Sequence, residues 1–209
     1  MKTLLDLDTW NRKEHYHFFS RMDEPFFGIV VDVDVTKAYA KAKELGITFF
    51  QYYLYLALKA ANQIENFRYR IENEQVYCYD AVHVSATIGR QDGTFGFSFI
   101  EYDAALPDFI KNMNAEIEAV QSTPGLRFND NAKRIDTIHF SALPWLHFTG
   151  LTHARSFTYR DSAPKISVGK FVKQNDQLLM PVAIYVHHGL ADAYHVGQMV
   201  ELYQMLLKE

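Results

Sequence analysis

The chain has 209 residues, a length that fits one domain of ordinary to large size. Apolar residues make up 48% and aromatics 15%, so a sizeable core needs no staples, and the single cysteine, Cys78, excludes an intrachain disulfide framework. A net charge of −4, with no run of five like charges, excludes the basic stripe on which phosphate-backbone binding depends.

The opening MKTLLDLDTWNRKEH carries Asp6 and Asp8 and lacks an apolar stretch or a small-residue cleavage site, so it does not read as a secretory signal. Residues 10–20, WNRKEHYHFFS, predict a short helix with an aromatic face. GIVVDVDVT (28–36) alternates apolar and acidic residues and predicts a strand with one wet face. Residues 36–67 predict an amphipathic helix, a break at Gly46 and a long buried helix. The apolar run 47–61 contains Gln51 and Lys59 and falls short of the ~20 residues of a membrane span. The expectation is a soluble cytoplasmic protein.

Three strand-like runs follow, QVYCYDA, HVSATIG and TFGFSFIEY, the last two joined by a turn at QDG (91–93). Cys78 lies in the first and reads as a buried structural thiol. Residues 103–121 place Leu106, Phe109, Ile110, Met113, Ile117 and Val120 on one helical face. TPGLRFNDNAKR (123–134) is a loop, IDTIHFSALPW a strand ending at Pro144, and residues 163–188 a hairpin turning at 174–177. A final helix runs from about Asp192. Helices and adjacent antiparallel strands together favour an α+β or mixed-sheet α/β sandwich.

The strand–helix joint MPVAIYVHHGLADAYHVG concentrates His187, His188, Asp192 and His195. A histidine at a strand end stands at the rim of a sheet and can take a proton from a hydroxyl or thiol near neutral pH. Other readings compete: half-buried structural histidines, Asp192 as a helix cap, or His188, Asp192 and His195 as metal ligands, the last weakened by the lack of a Cys or Glu at ligand spacing. His15, His17, His83 and His139 read as structural. His147 and His153 could approach a cleft.

HHGLADAYHVG resembles the HHxxxDG signature of the acyl-CoA-dependent acyltransferases, most closely the chloramphenicol acetyltransferase family. Trp10-Asn11-Arg12-Lys13-Glu14-His15-Tyr16 matches the family's W-x-R-x-E-H-F opening. Ser141-Ala142-Leu143-Pro144-Trp145 matches SxxPW, and the segment from Ala163-Pro164 through Ser167 to Lys170 matches AP-x-x-T-x-x-K. TFGFSFIEY matches a further strand, and the order holds from residue 10 to the end.

The resemblance implies residues 1–209 as a single acetyltransferase domain: a two-layer α/β sandwich, α+β in type, with a mixed, largely antiparallel sheet packed by helices. It implies acetyl-CoA as co-substrate, no metal, and a homotrimer with active sites at subunit interfaces. His188 would be the general base that lets a small-molecule hydroxyl attack directly, chloramphenicol being the first candidate acceptor and antibiotic inactivation the outcome. The base's tautomer would be fixed by its own carbonyl. Asp192 would pair with Arg12 behind the histidine. Ser141 would donate to the oxyanion, and Ser167 would stand for a water-holding threonine. Phe18, Phe19, Phe95, Phe97 and Phe128 would line the acceptor pocket, Lys170 would meet the coenzyme, and Thr48 replaces a coenzyme lysine. Another hydroxylated acceptor, or a silent ligand-binding relative, are the alternatives. A dihydrolipoyl acyltransferase core fits poorly, because the chain shows no lipoyl or linker segment.

Overall fold

The computed structural model describes residues 1–156 and 160–209. Its elements run β1 (Lys2–Leu4), α1 (Lys13–Phe19), β2 (Phe26–Asp34), α2 (Thr36–Glu44), α3 (Phe49–Gln63), α4 (Glu65–Arg68), β3 (Tyr69–Glu72), β4 (Gln75–Tyr79), β5 (His83–Gly89), β6 (Phe95–Phe97), α5 (Leu106–Ser122), β7 (Thr137–Leu143), β8 (Lys165–Gly169), β9 (Val172–Gln174), β10 (Gln177–His187) and α6 (Ala193–Leu207).

The main sheet has the order β2-β10-β8-β7-β5-β6, with β9 also on β10. It is mixed. β5, β7 and β8 are parallel, and β2, β10, β6 and β9 join antiparallel. One face is the core. Val182, Ile184 and Val186 of β10, Ile166 and Val168 of β8, and Ile138 and Phe140 of β7 meet the apolar sides of α2, α3, α5 and α6 there. Helix α3 is nearly apolar all round because it is packed between sheet and neighbouring helices. Its start is set by a capping box in which Thr48 accepts from the Gln51 N–H and Gln51 accepts from the Thr48 N–H.

The strand period of two sends the alternate residues, His187, Tyr185, Lys165, Ser167, His139 and Ser141, to the other face. The connection after β7 crosses this face. Tyr185 Oη donates to the Leu151 carbonyl, His153 packs edge-on against Tyr185 at 4.9 Å, and the Arg155 guanidinium lies 3.5 Å from the centre of the Phe26 ring. Gly28 makes room: a Cβ there would sit 2.2 Å from the Tyr185 ring.

Three expectations change. Strands β1 and β3 are additional, forming with β4 a small sheet in the order β1-β4-β3. TFGFSFIEY gives only β6 and a bridge from Ile100 to Val84, because the Ala86 N–H is diverted to the Ser98 hydroxyl although the Ser98 N–H still donates to the Ala86 carbonyl at 3.0 Å. Cys78 is half-buried at a satellite core of Tyr16, Tyr69, Val76 and Leu190, and burial raises its thiol pKa.

Candidate active site

Strand β10 ends at His187, and the chain turns through His188–Ala191 into α6. His187 points to the outer face and is spent on the turn. Its carbonyl accepts from the Leu190 and Ala191 N–H groups, and its Nδ1 accepts from Gly189 N–H at 3.1 Å. Burial, reinforced by the charge of Arg155, pushes its pKa down to about 4 and keeps it neutral. Gly189 has to be small, since a Cβ would lie 3.0 Å from the His187 ring and 3.1 Å from Tyr16 Cα.

His188 is held differently. Its N–H extends the β2–β10 ladder by donating to the Pro25 carbonyl at 2.8 Å. Its ring stacks on Phe19 at 3.9 Å and 6°, with Phe27 at 4.6 Å. The expected bond from Nδ1 to its own carbonyl is not formed. Nδ1 is buried without a partner among the described residues, and the carbonyl accepts from Arg12 Nη2 at 3.0 Å. Ring stacking and a fixed backbone, rather than a second-nitrogen hydrogen bond, orient this imidazole.

Arg12 ties the turn together. It is 7% exposed at the start of α1 and donates from Nη1 to Asp192 Oδ2 at 2.8 Å, so one guanidinium fixes both the histidine's carbonyl and the helix start. Asp192 is the N-cap of α6, as the cap reading of the sequence has it, and accepts from Tyr194 N–H at 3.0 Å. Desolvation opposes its charge. The bond from Arg12, the charges of His195 and Arg12, and the Tyr194 N–H outweigh it and hold the carboxyl at about 2. His195 completes the cap. Its Nδ1 lies 2.9 Å from Asp192 Oδ1 and 3.2 Å from the Asp192 N–H, which accounts for the third histidine as part of a helix start. Among the described residues no group of three His, Cys, Asp or Glu converges as metal ligands.

Ser141 lies elsewhere. Half-buried on β7, it lines a cavity of about 280 Å³ with Phe97, Phe128, His139, His153 and Lys165. Phe97 meets Phe95 at 5.7 Å and Phe128 at 6.2 Å, both edge-on, and the outer two rings are exposed. Ser167 pairs in register with Ser141 but is fully buried, its Oγ without a partner among the described residues. Phe18 is exposed and meets Phe19 edge-on at 5.1 Å, so the predicted pocket phenylalanines form two groups: Phe18 and Phe19 near His188, and Phe95, Phe97 and Phe128 near Ser141.

The register gives the distance between the groups. Ser141 is level with Ser167, which is level with Ala183, and His188 is five residues further on two strands away. Strand spacing and rise make that separation about 20 Å. Within one chain, His188 and Ser141 cannot touch the same reacting carbon.

Lys170 is exposed at the rim of a cavity of about 230 Å³ walled by Phe49, Phe50, Tyr53, Pro144 and Phe171. His83 accepts the Tyr102 N–H and faces Asp136, a structural role. The sequence reading placed no weight on Lys165, Asp161 or Arg155, which converge with His139 on the outer face. Their signal, a lysine among the apolar residues of a central strand, was present in KISVG.

The family model for chloramphenicol acetyltransferase matches residues 1–204. The chain is 29% identical to the chloramphenicol acetyltransferase of Bacillus pumilus over 202 residues, 96% of this chain and 91% of that one. It is 28% identical to chloramphenicol acetyltransferase 2 of Escherichia coli over 207 residues, 98% of this chain and 96% of that one. A solved structure of a chloramphenicol acetyltransferase matches it with a TM-score of 0.93 at 30% identity, covering 100% of both chains.

Proposed function

The chain belongs to the chloramphenicol acetyltransferase family and is an acyltransferase, and on that premise we propose that it carries acetyl from acetyl-CoA to the hydroxyl of a small molecule. Chloramphenicol, the substrate in the names of its relatives, is the first acceptor to test, with antibiotic inactivation as the consequence. The observation that carries the reading is the anchoring of His188: a backbone clamped by Arg12 and Asp192 and a ring clamped by Phe19 and Phe27.

His188 accepts the hydroxyl proton at Nε2, since Nδ1 is buried, and returns it to the leaving thiolate. Attack is direct, so no covalent acyl-enzyme is formed. Ser141 donates a hydrogen bond to the carbonyl oxygen as negative charge grows there. The residues present fit coenzyme A: the aromatic cavity of Phe50, Tyr53 and Phe171 suits a narrow apolar arm, and the Lys170 ammonium at its rim suits a phosphate. Arg12 and Asp192 are positioning residues.

The separation of His188 from Ser141 supports a site assembled from two copies, as in a homotrimer whose interfaces each join one chain's base to its neighbour's serine. The exposed Phe18, Phe95, Phe128 and Trp145 suit such interfaces. We read the protein as cytoplasmic and residues 1–209 as one acetyltransferase domain. Among the described residues, no helix is long and apolar enough to cross a membrane.

Subunit mixing tests the reading. His188→Ala and Ser141→Ala homo-oligomers should each release little thiol from acetyl-CoA in the presence of acceptor. Co-refolding equal amounts should restore about a quarter of wild-type activity, the random share of interfaces holding both intact groups. Absence of rescue in folded, mixed oligomers would place base and serine in one chain or remove the serine from the mechanism.

A further inference from the structure

The cavity beside Ser141 opens into a larger cleft of about 490 Å³, the two sharing Phe128, Ala132, His139, Ala154 and Lys165. Its walls are largely apolar, yet Lys133, Arg134, Arg155 and Lys165 line it against one carboxylate, Asp161. The lining itself therefore carries four cations to one anion. Three of these cations lean on carboxylates outside the cleft: Lys133 on Asp130, Arg134 on Asp136 and Arg155 on Glu24. Lys165, 6% exposed, is the cation at the boundary with Ser141.

The ammonium of Lys165 has three donors. One makes a short ion pair with Asp161. Among the described residues the others find the Ala163 carbonyl at 3.4 Å and His139 Nδ1 at 3.5 Å, both long for a hydrogen bond, and the face of Phe26 at 5.0 Å. With Nδ1 turned to the ammonium, neutral His139 carries its hydrogen on Nε2 and offers a further donor. Loss of bulk water within the cavity, followed by the Lys165 charge, pushes His139 down to about 4 although its side chain is open to the cavity, so it stays neutral at pH 7. Behind this row lies Arg70, fully buried, with its donors on the carbonyls of Phe67, Tyr69, Ile135 and Thr137 and no carboxylate partner among the described residues. Arg70, Arg134, Arg155 and Lys165 stand against Asp136, Asp161 and Glu24, so the count leaves one positive charge over, and it is the fully buried Arg70 that is held on carbonyls alone.

Lys165 and His139 each lie two residues from Ser167 and Ser141 on the same face, about 7 Å along the sheet. That spacing suits an acceptor whose hydroxyl is near Ser141 and whose charged group lies a few bonds away. We propose that the preferred acceptor is a hydroxy acid with an apolar body: its anionic oxygens on Lys165 and His139, its body between Phe128, Ala132 and Ala163, and its hydroxyl toward Ser141. The inference rests on the acetyltransferase reading for the role of the hydroxyl, but the anion site can be tested without turnover.

The probes are 3-phenyllactate and its methyl ester, which differ only in the charge. Calorimetric titration at pH 7 into the assembled wild-type protein should give at least about ten-fold tighter binding of the acid, as expected for a charged hydrogen bond in a desolvated site. In Lys165→Met/Asp161→Asn, which removes both buried charges and leaves neither orphaned, the preference should fall to about parity. Equal affinity for acid and ester in the wild type, or a preference unchanged in the double variant, overturns the proposal even where chloramphenicol is acetylated. A Lys165-dependent preference with no acetyl transfer to any hydroxylated acceptor supports the anion site and sinks the transferase reading instead.

Discussion

The two halves of the candidate site are built to different rules. Around His188 the backbone and ring are committed: the backbone to Pro25 and Arg12, the ring to Phe19 and Phe27, the adjacent helix start to Asp192, Tyr194 and His195. Around Ser141 the lining is open, with exposed Phe95 and Phe128, half-buried Phe97, and an irregular connection over the outer face. The first half holds one imidazole in a single place, as the proposed acid–base role would require. The second tolerates change, as a surface that selects among acceptors can. On the proposed reading, the chemistry belongs to a strand end locked by charge and the choice of substrate to side chains that protrude from the sheet.

The sharpest way to break this contrast is to remove its centre. His188→Ala should lower turnover by about 10²–10⁴-fold with little change in melting temperature, measured by thiol release and thermal unfolding, since the ring is half-buried and its backbone contacts remain. A small loss in turnover would move the base elsewhere. Ser141→Ala should lower kcat by about 10²–10³-fold and leave coenzyme binding unchanged; an effect confined to KM would make Ser141 a binding residue only.

Asp192→Asn should act on both activity and stability, because it unpairs the buried Arg12 and weakens the α6 cap. A loss on the order of 2–3 kcal/mol in denaturant unfolding is expected, with turnover reduced through misplacement of His188. Arg12→Lys should not restore the wild type, since one ammonium cannot hold both the carboxylate and the His188 carbonyl in the guanidinium's geometry.

Acid should loosen the first half through two groups. Asp192 is held at about 2, below the unfolded carboxylate, so its contribution is complete above about pH 4 and is lost as pH falls toward 2. His187 is neutral when folded and held at about 4, so the unfolded chain binds the extra proton first. Its contribution is complete above about pH 6.5 and is lost as pH falls toward 4. Unfolding at a series of pH values should show a slope between pH 6.5 and 4 that flattens in His187→Gln. An unchanged slope would mean another group supplies it, His139 first.

The smallest expected effect concerns the ring clamp. Phe19→Leu should cost on the order of 1 kcal/mol and broaden the acceptor range, because it keeps the apolar volume but loses the stack on His188. An unchanged kcat would show that the backbone anchors alone suffice.

Much of this was legible in the chain. Alternating apolar residues gave β2 and β10, the 3.6-residue pattern gave α3, α5 and α6, and the break at Gly46 lies between α2 and α3 as expected. The resemblance carried by Trp10–Tyr16, Ser141–Trp145 and HHGLADAYHVG pointed to the family that the full-length match then showed. Local pattern did not reveal β1 and β3, whose three and four residues are too short to be periodic and exist only by pairing with β4. It also left the roles of His187, His188 and His195 open.

By itself, the sequence determined the strands and helices and which residue types meet at the end of β10, because periodicity and spacing are local properties that survive without coordinates, and its ordered motifs carried the resemblance to the family. Only the tertiary structure decided that His187 braces the turn and His195 the helix start, that the predicted pocket phenylalanines divide into two groups, that His188 and Ser141 stand too far apart to serve one chain, and that Lys165, His139 and Arg70 share a charged floor. Those facts depend on strand register and on what lies across the sheet, where residues far apart in the chain meet at distances that no spacing along it encodes.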